Sequence, residues 1–368
     1  TTLFSCSKTV FKNVLQLPPG RLLKISLKNF NKELLRWWYP LENLPSINPN
    51  YEINQGEYYE LLYNATKLRL NADLKIGTSL SGGFDSSSIF TILNLIQNNE
   101  DLLNDKKIDL NPIIMNYSGC RTSSEAIEIA ENYKRNFKVI EFKDKEIEEV
   151  MALCAKLEIV EEYFMHPMLY KNQKNLGIHI SIDGHGADEF LGYPSFLPYL
   201  SLSAHNQIVN LRSACDNYGG NKEQNVINDF FGKFAESKTK AQYNFVKQLN
   251  LNNTLYRYTK SEQFIPTGML INDDKEMLNN FDLATQYYYL NTYCGWMQYF
   301  LSKWDRASMS STVEIRSPFL DKNVTQYSLA LPLEKKIYNG KTKSILRDSM
   351  ETFIPSSIKN QKFKQGLP

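Results

Sequence analysis

Over the middle of the chain, short apolar runs alternate with longer stretches of helical periodicity. Leu74–Leu80 is mostly apolar and predicts a buried strand. A glycine-containing turn follows at Ser81–Asp85. Ile89, Ile92, Leu93 and Ile96 then recur every three or four residues, which predicts one apolar face of a helix. Pro112–Tyr117 predicts a second strand. Thr122 with Glu125 three residues on is a capping-box signal for a helix through Lys134. Val139–Phe142 predicts a strand, Asp144–Lys156 a helix, and Ile178–Ile182 a strand that runs into Asp183-Gly184-His185-Gly186-Ala187-Asp188-Glu189. Strands alternating with helices of this length predict a parallel sheet covered by helices on both faces.

The flanks differ. Residues 1–50 read as short strands and turns, with a Pro18-Pro19-Gly20 turn, a strand at Leu22–Leu27 and a closing Trp37-Trp38-Tyr39-Pro40. Residues 41–56, rich in Pro and Asn, predict a linker. From about Tyr193 strand signals fade, and 196–350 reads as mainly helical.

Composition narrows the function classes. Forty-two Lys and Arg against 40 Asp and Glu leave a net charge of +2, too balanced for an electrostatic nucleic-acid binder. A hydrophobic share of 42% excludes general disorder, and 368 residues exceed one small domain. No run approaches a membrane span, so no membrane partner is expected. The five cysteines are scattered without a CxxC pair, which predicts neither a zinc knuckle nor a disulfide framework and fits a reducing, cytoplasmic setting. Thr1 opens no signal peptide, and the chain is expected to be a fragment or one part of a split polypeptide.

Four strings could carry chemistry. Leu80-Ser81-Gly82-Gly83-Phe84-Asp85-Ser86-Ser87 lies where a strand ends and a helix begins. Adjacent glycines let backbone N–H groups approach an anion, and Ser81, Ser86 and Ser87 add hydroxyls. Asp85 suits such a loop only if a cation intervenes, which points to nucleotide-borne Mg²⁺. The string lacks the GKS/T ending of a Walker loop, and alone it also reads as a capped Gly-Gly turn. Asp183–Glu189 lies at another strand's carboxyl end, where ligands settle in open parallel sheets. Asp188 would be a second Mg²⁺ ligand there, although alone this string too reads as a capped turn. Lys303–Met309 with Val313–Asp321 reads as a buried ion-pair network, and Lys341–Arg347 as a basic helix face.

Together these strings resemble the synthetase domain of the asparagine synthetase family, PP-loop ATP pyrophosphatases that form amides. The family's SGGLDSS loop corresponds to Ser81–Ser87, its SGEGADE string to Asp183–Glu189, its DRxSM to PFLD string to Asp305–Asp321, and its KxILR string to Lys343–Arg347. Lys364–Pro368 resembles a further family region. The resemblance implies an α/β fold: a parallel five-stranded PP-loop sheet (adenine nucleotide alpha hydrolase-like) flanked by helices, with a mainly helical C-terminal part and a remnant β segment at the N-terminus. It implies that residues 1–50 are the tail of a glutaminase-like domain plus linker. Residues 51–368 are then an ATP-dependent synthetase domain, with 51–195 the α/β core and 196–368 its mainly helical completion.

The implied reaction joins a substrate carboxylate to AMP, releasing pyrophosphate, and then transfers the acyl group to ammonia or an amine. The implied cofactors are ATP and Mg²⁺. Leu80, Ser81, Gly82, Gly83, Asp85, Ser86, Ser87, Ser118, Asp183 and Gly184 would contact ATP or pyrophosphate. Asp85 and Asp188 would hold Mg²⁺, and Lys343 would be the catalytic lysine. Glu314 and Arg316 would be structural. The implied partners are a small-molecule carboxylate and glutamine-derived ammonia or an amine, with a missing N-terminal glutaminase half and a homodimer both allowed.

His185 departs from the pattern, since asparagine synthetases carry Glu there. An imidazole deprotonates an amine near neutral pH, so His185 is a second catalytic candidate. The residue favours an acceptor other than the usual one. The alternative to an amidotransferase is then a lactam- or macrolactam-forming synthetase with an intramolecular amine. A binding protein on a decayed synthetase fold is the third reading, and the intact loop, Asp188 and Lys343 speak against it.

Overall fold

A computed structural model describes residues 12–17, 19–44, 50–99, 108–117, 120, 122–142, 144–156, 165–192, 281, 285, 288–289, 292, 296–338 and 341–360. In chain order the strands are β1 (Arg21–Ile25), β2 (Lys32–Arg36), β3 (Ile76–Thr78), β4 (Ile113–Asn116), β5 (Lys138–Glu141), β6 (Ile180–Ile182), β7 (Glu314–Arg316), β8 (Ile337–Tyr338) and β9 (Lys341–Thr342). The helices are α1 (Tyr51–Leu68), α2 (Phe84–Asn99), α3 (Ser123–Asn132), α4 (Asp144–Lys156), α5 (Met165–Asn175), α6 (Ala187–Leu191), α7 (Trp296–Met309), α8 (Lys322–Ala330), α9 (Leu333–Lys336), α10 (Ser344–Ser349) and α11 (Ser356–Lys359). The chain divides into two compact units. One comprises Asn48–Asp188, Leu301–Thr325 and Lys343–Pro368, and the other Thr1–Ile47, Glu189–Phe300 and Gln326–Thr342.

The first unit is mixed α/β. β3, β6 and β7 pair in parallel, with Ile76 opposite Ile180 and Ile180 opposite Glu314. β4 and β5 pair in parallel with Ile113 opposite Lys138. A parallel bridge between Ser79 and Ile113, and the Leu80 N–H donating to the Ile113 carbonyl at 3.0 Å, tie β4 to the end of β3. The lateral order is therefore β5-β4-β3-β6-β7. Central β3 and β6 are buried at every position, while β5 is mostly exposed, as expected of an edge. Ile113, Ile140, Val150, Cys154, Met168, Leu169, Tyr170, Ala307 and Val313 form one core cluster. Each large aliphatic member contributes about 1.5–3 kcal/mol by leaving water.

Four details differ from the sequence expectations. α1 begins at Tyr51, inside the expected linker, because the Asn50 side chain accepts from the Glu52 N–H at 2.9 Å and starts the helix. α2 is buried around most of its circumference rather than on one face. Ser88 and Asn94 tolerate this by donating to the Phe84 and Phe90 carbonyls of their own helix, each at 2.8 Å. Thr122 precedes α3 but makes no cap. Its hydroxyl donates to the Ser81 carbonyl at 2.6 Å, so the capping-box residue serves the glycine loop instead. β7 is a strand within the stretch read as mainly helical. It is three residues long and joins the sheet through pairing that no local signal announces.

β7 also explains the charged string around it. Arg316 donates from Nη1 to the carbonyls of Arg69 at 2.7 Å and Asn71 at 2.9 Å, and from Nε to Glu314 at 2.8 Å. Arg69 reaches Asp321 at 2.7 Å. These residues clamp the end of α1 to the strand.

In the second unit, β1 and β2 form an antiparallel hairpin with Arg21 opposite Arg36, and β8 and β9 form a smaller one. Tyr39 meets Tyr289 edge-on at 5.8 Å, and the Lys336 ammonium sits 4.0 Å from the Tyr288 ring centre. Among the described residues no helix is long and apolar enough to cross a membrane.

Candidate active site

The strand order reverses between β3 and β6: from β3 the chain goes outward to β4 and β5, and from β6 outward to β7. Connections leave a parallel sheet in opposite directions at such a point and open a crevice off the carboxyl ends. Both Gly/Asp strings emerge there, one after β3 and one after β6, and residues 80–87 and 183–188 lie in the α/β unit.

The loop after β3 is closed by its own hydroxyls. Ser81 and Ser86 share a hydrogen bond between side chains at 2.9 Å, the Ser86 hydroxyl donates to the Gly83 carbonyl at 3.1 Å, and the Ser81 N–H donates to Ser86 Oγ at 3.2 Å. Gly82 has φ +73°, and a Cβ there would collide with the Thr122 backbone carbonyl, so only glycine fits. The loop hands over to α2, whose first-turn N–H groups lack intrahelical acceptors by construction. Leu80 is buried and anchors the loop to β4 through its N–H. Ser87 is turned away from the others: its side chain is fully enclosed and its N–H is spent on Gly83 at 3.0 Å.

The turn after β6 is built from fixed side chains. Asp183 is buried and accepts three hydroxyl hydrogen bonds, from Ser79 at 2.8 Å and Ser181 at 2.7 Å on Oδ1, and from Tyr170 at 2.8 Å on Oδ2. Gln173 in turn donates to Ser181 Oγ at 2.8 Å. Burial first, and then the adjacent Asp183 carboxylate, push the Tyr170 phenol well above its ordinary pKa, so Tyr170 remains a donor. A Cβ on Gly184 would lie 2.7 Å from the Ser86 nitrogen, so this glycine lets the turn press against the start of α2.

Lys343 joins the two strings. Its ammonium donates to Asp85 at 2.7 and 2.5 Å and meets Asp188 Oδ1 at 2.7 Å. The two carboxylates face one buried ammonium group. Lys343 holds this post with φ +59°, a left-handed conformation that costs a non-glycine residue about 1–3 kcal/mol and persists where surroundings over-determine it. Among the described residues no group of three or more His, Cys, Asp or Glu could hold a metal. Two carboxylates do fit Mg²⁺, which takes one or two from protein and the remainder from phosphate and water.

His185 stacks on Trp304 of α7, ring centres 3.9 Å apart and planes 20° from parallel. Its Nε2 lies 3.7 Å from Asp183 Oδ2, and the His166 ring of α5 is 6.0 Å away. Asp85, Asp183, Gly184, His185, Asp188 and Lys343 thus share one sheet edge with the Ser81–Ser86 loop. Ser118 and Lys364–Pro368 lie outside the described residues.

Sequence reasoning missed Ser79, Ser181, Tyr170 and Trp304. A polar residue inside Ile180-Ser181-Ile182, a fully buried strand, was a usable signal for Ser181. Tyr170 carried none. Trp304 lay in a string read only for its charges.

Comparison with known proteins supplies the lineage. The Asparagine synthase family model matches residues 57–368. Asparagine synthetase [glutamine-hydrolyzing] 1 of Bacillus subtilis is 25% identical over 337 residues, covering 85% of this chain and 49% of that protein. Amidase chry2 of Gibberella zeae is 26% identical over 97% of this chain and 59% of its own length, and Amidase chyE of Penicillium rubens 25% over 96% and 58%. The chain thus spans about half the length of the curated relatives it matches. Among solved structures, the U34-tRNA thiolase NcsA of Methanococcus maripaludis covers 62% of this chain and 81% of its own at 14% identity and a TM-score of 0.29, too distant a likeness to carry residue roles. With its family match running across most of its length, this chain belongs to the asparagine synthase family.

Proposed function

We propose that this chain is the synthetase part of an ATP-dependent, AMP-forming carbon–nitrogen ligase. It activates a substrate carboxylate as an acyl-adenylate, with release of pyrophosphate, and transfers the acyl group to nitrogen. The observation that carries this reading is the Lys343 ammonium bound by both Asp85 and Asp188 where the strands β3 and β6 end. Such a post suits a reaction in which negative charge grows on a phosphorus centre and its leaving group.

In this reading the backbone and hydroxyls of Ser81, Gly82, Gly83 and Ser86 receive pyrophosphate, while Ser87, enclosed and with its N–H spent on Gly83, packs the start of α2 instead. Leu80, Ser118, Asp183 and Gly184 contact the nucleotide. Asp85 and Asp188 would hold Mg²⁺, which when bound offsets triphosphate charge. Lys343 stabilises the charge that develops on the phosphate during transfer. In the second half-reaction the lone pair of an ammonia or amine nitrogen attacks the acyl carbon, the bond from that carbon to the phosphate oxygen breaks, and AMP leaves with its electrons. The nitrogen's surplus proton passes to His185.

Glutamine-derived ammonia, delivered by a glutaminase half, is the first nitrogen source to test, because relatives are named glutamine-hydrolyzing. The imidazole at position 185, held beside Asp183, favours a second source, an amine within the substrate that closes a lactam.

Acid-dependent exchange of labelled pyrophosphate into ATP, screened over amino acids, sugar acids and peptides with Mg²⁺, tests the activation step. At least one acid should support exchange, and Lys343→Met should lower it about a thousandfold. Exchange undiminished in Lys343→Met overturns the reading. AMP release stimulated by ammonia separates the amidotransferase from the cyclising ligase, which ignores ammonia.

A further inference from the structure

His185 and Trp304 come from distant parts of the chain, β6's carboxyl end and α7, yet their rings stack at 3.9 Å. Partly exposed side chains do not hold one plane unless something fixes them. Here an indole fixes the plane from one side, and Asp183 fixes the edge: its Oδ2 lies 3.7 Å from Nε2, too far for a hydrogen bond but close enough to orient a ring dipole. Asp183 cannot swing away, since Ser79, Ser181 and Tyr170 all hold it. Among the groups facing His185 are Asp183 from the sheet, Trp304 from α7 and, at 6.0 Å, His166 from α5.

We propose that Trp304 is a positioning residue for the nitrogen-transfer half of the reaction: it acts through His185, by setting the plane in which the imidazole meets the incoming amine. This rests on the ligase reading above. Activation of the acid needs the Lys343 and glycine-loop end of the site, whereas the rings that Trp304 meets are those of His185 and His166. Removing the indole therefore impairs transfer and spares activation. A misplaced reacting group costs on the order of a hundredfold, and a missing base a similar amount or more.

The experiment compares wild type with His185→Asn, Trp304→Leu and Trp304→Phe in two assays and one spectrum. Acid-dependent pyrophosphate exchange reads activation. AMP and amide formation with saturating amine reads transfer. The spectrum is that of ring-labelled histidine, tractable because the chain has four histidines. The signal lost in His185→Asn should lie upfield in wild type, shifted by the indole ring current, and return toward the ordinary position in Trp304→Leu. Exchange should stay within about threefold in the two Trp304 variants, transfer should fall about tenfold to a hundredfold in Trp304→Leu, and Trp304→Phe, which keeps a flat ring, should recover most of it. Exchange and transfer falling together in Trp304→Leu and Trp304→Phe overturn the proposal, as does a His185 signal that ignores Trp304. Wild-type protein that exchanges no pyrophosphate with any acid sinks the ligase reading itself, before any variant is made.

Discussion

The loop after β3 and the turn after β6 both pair glycines with aspartate, yet they solve different problems. The first keeps side chains short and turns its serines on one another, so that backbone geometry is the working part. The second buries a carboxylate under three hydroxyls and presents fixed side chains, Asp183, His185 and Asp188. A backbone loop suits an anion that needs many weak donors at close range. A side-chain turn suits a cation or a reacting nitrogen, which needs a charge held at one place. Lys343 is where the two kinds of construction meet.

That contrast breaks most completely at Lys343. Lys343→Met removes the shared cation and leaves Asp85 and Asp188 facing each other. Pyrophosphate exchange should fall about a thousandfold, and unfolding in denaturant should show a loss of about 3 kcal/mol, because one partner of a buried ion set has gone. Unchanged stability would mean that the carboxylates do not depend on the lysine.

Gly82→Ala attacks the backbone side alone. The added methyl meets the Thr122 carbonyl and sits at positive φ, so about 3 kcal/mol should be lost and nucleotide binding by calorimetry should weaken, with the Asp183 cluster intact. Tyr170→Phe attacks the side-chain side. Losing a hydrogen bond to a buried carboxylate should cost about 2 kcal/mol near neutral pH.

Tyr170→Phe also has a pH signature. The folded phenol is raised above the unfolded value of 10.0, so above that value the unfolded chain holds fewer protons than the folded one. The phenol's contribution is thus complete below the unfolded pKa and drains away as pH rises toward the folded one. Phe should flatten the alkaline fall in stability, measured by urea unfolding between neutral and strongly alkaline pH. The smallest effect is expected of Thr122→Val, which frees the Ser81 carbonyl at a cost of about 1 kcal/mol and should loosen nucleotide binding only slightly.

Much of this architecture was legible beforehand. α4 spans Asp144–Lys156 as expected, β3, β4 and β6 fall inside their expected apolar runs, and β5 begins one residue before its own. These elements carry their signal locally, in apolar spacing and flanking turns. β7 does not: three residues, Glu-Ile-Arg, become a strand only because β6 offers its edge. Thr122 misled for the related reason that a hydroxyl bonds whichever acceptor the fold brings nearest, and here that acceptor is Ser81, not the helix.

The amino-acid order by itself determined the parallel α/β layering, the two glycine–aspartate turns at strand ends and the family to which they belong. Periodicity, turn residues and motif strings all act over a few neighbouring positions. Only the tertiary structure decided that Lys343 would sit between Asp85 and Asp188, that Ser79, Ser181 and Tyr170 would clamp Asp183, and that Trp304 would lie flat against His185. Those contacts join residues far apart in the chain. Their partners are chosen by strand order and by the low tolerance of a packed interior for unpaired charge, and neither leaves a trace in any one stretch of sequence.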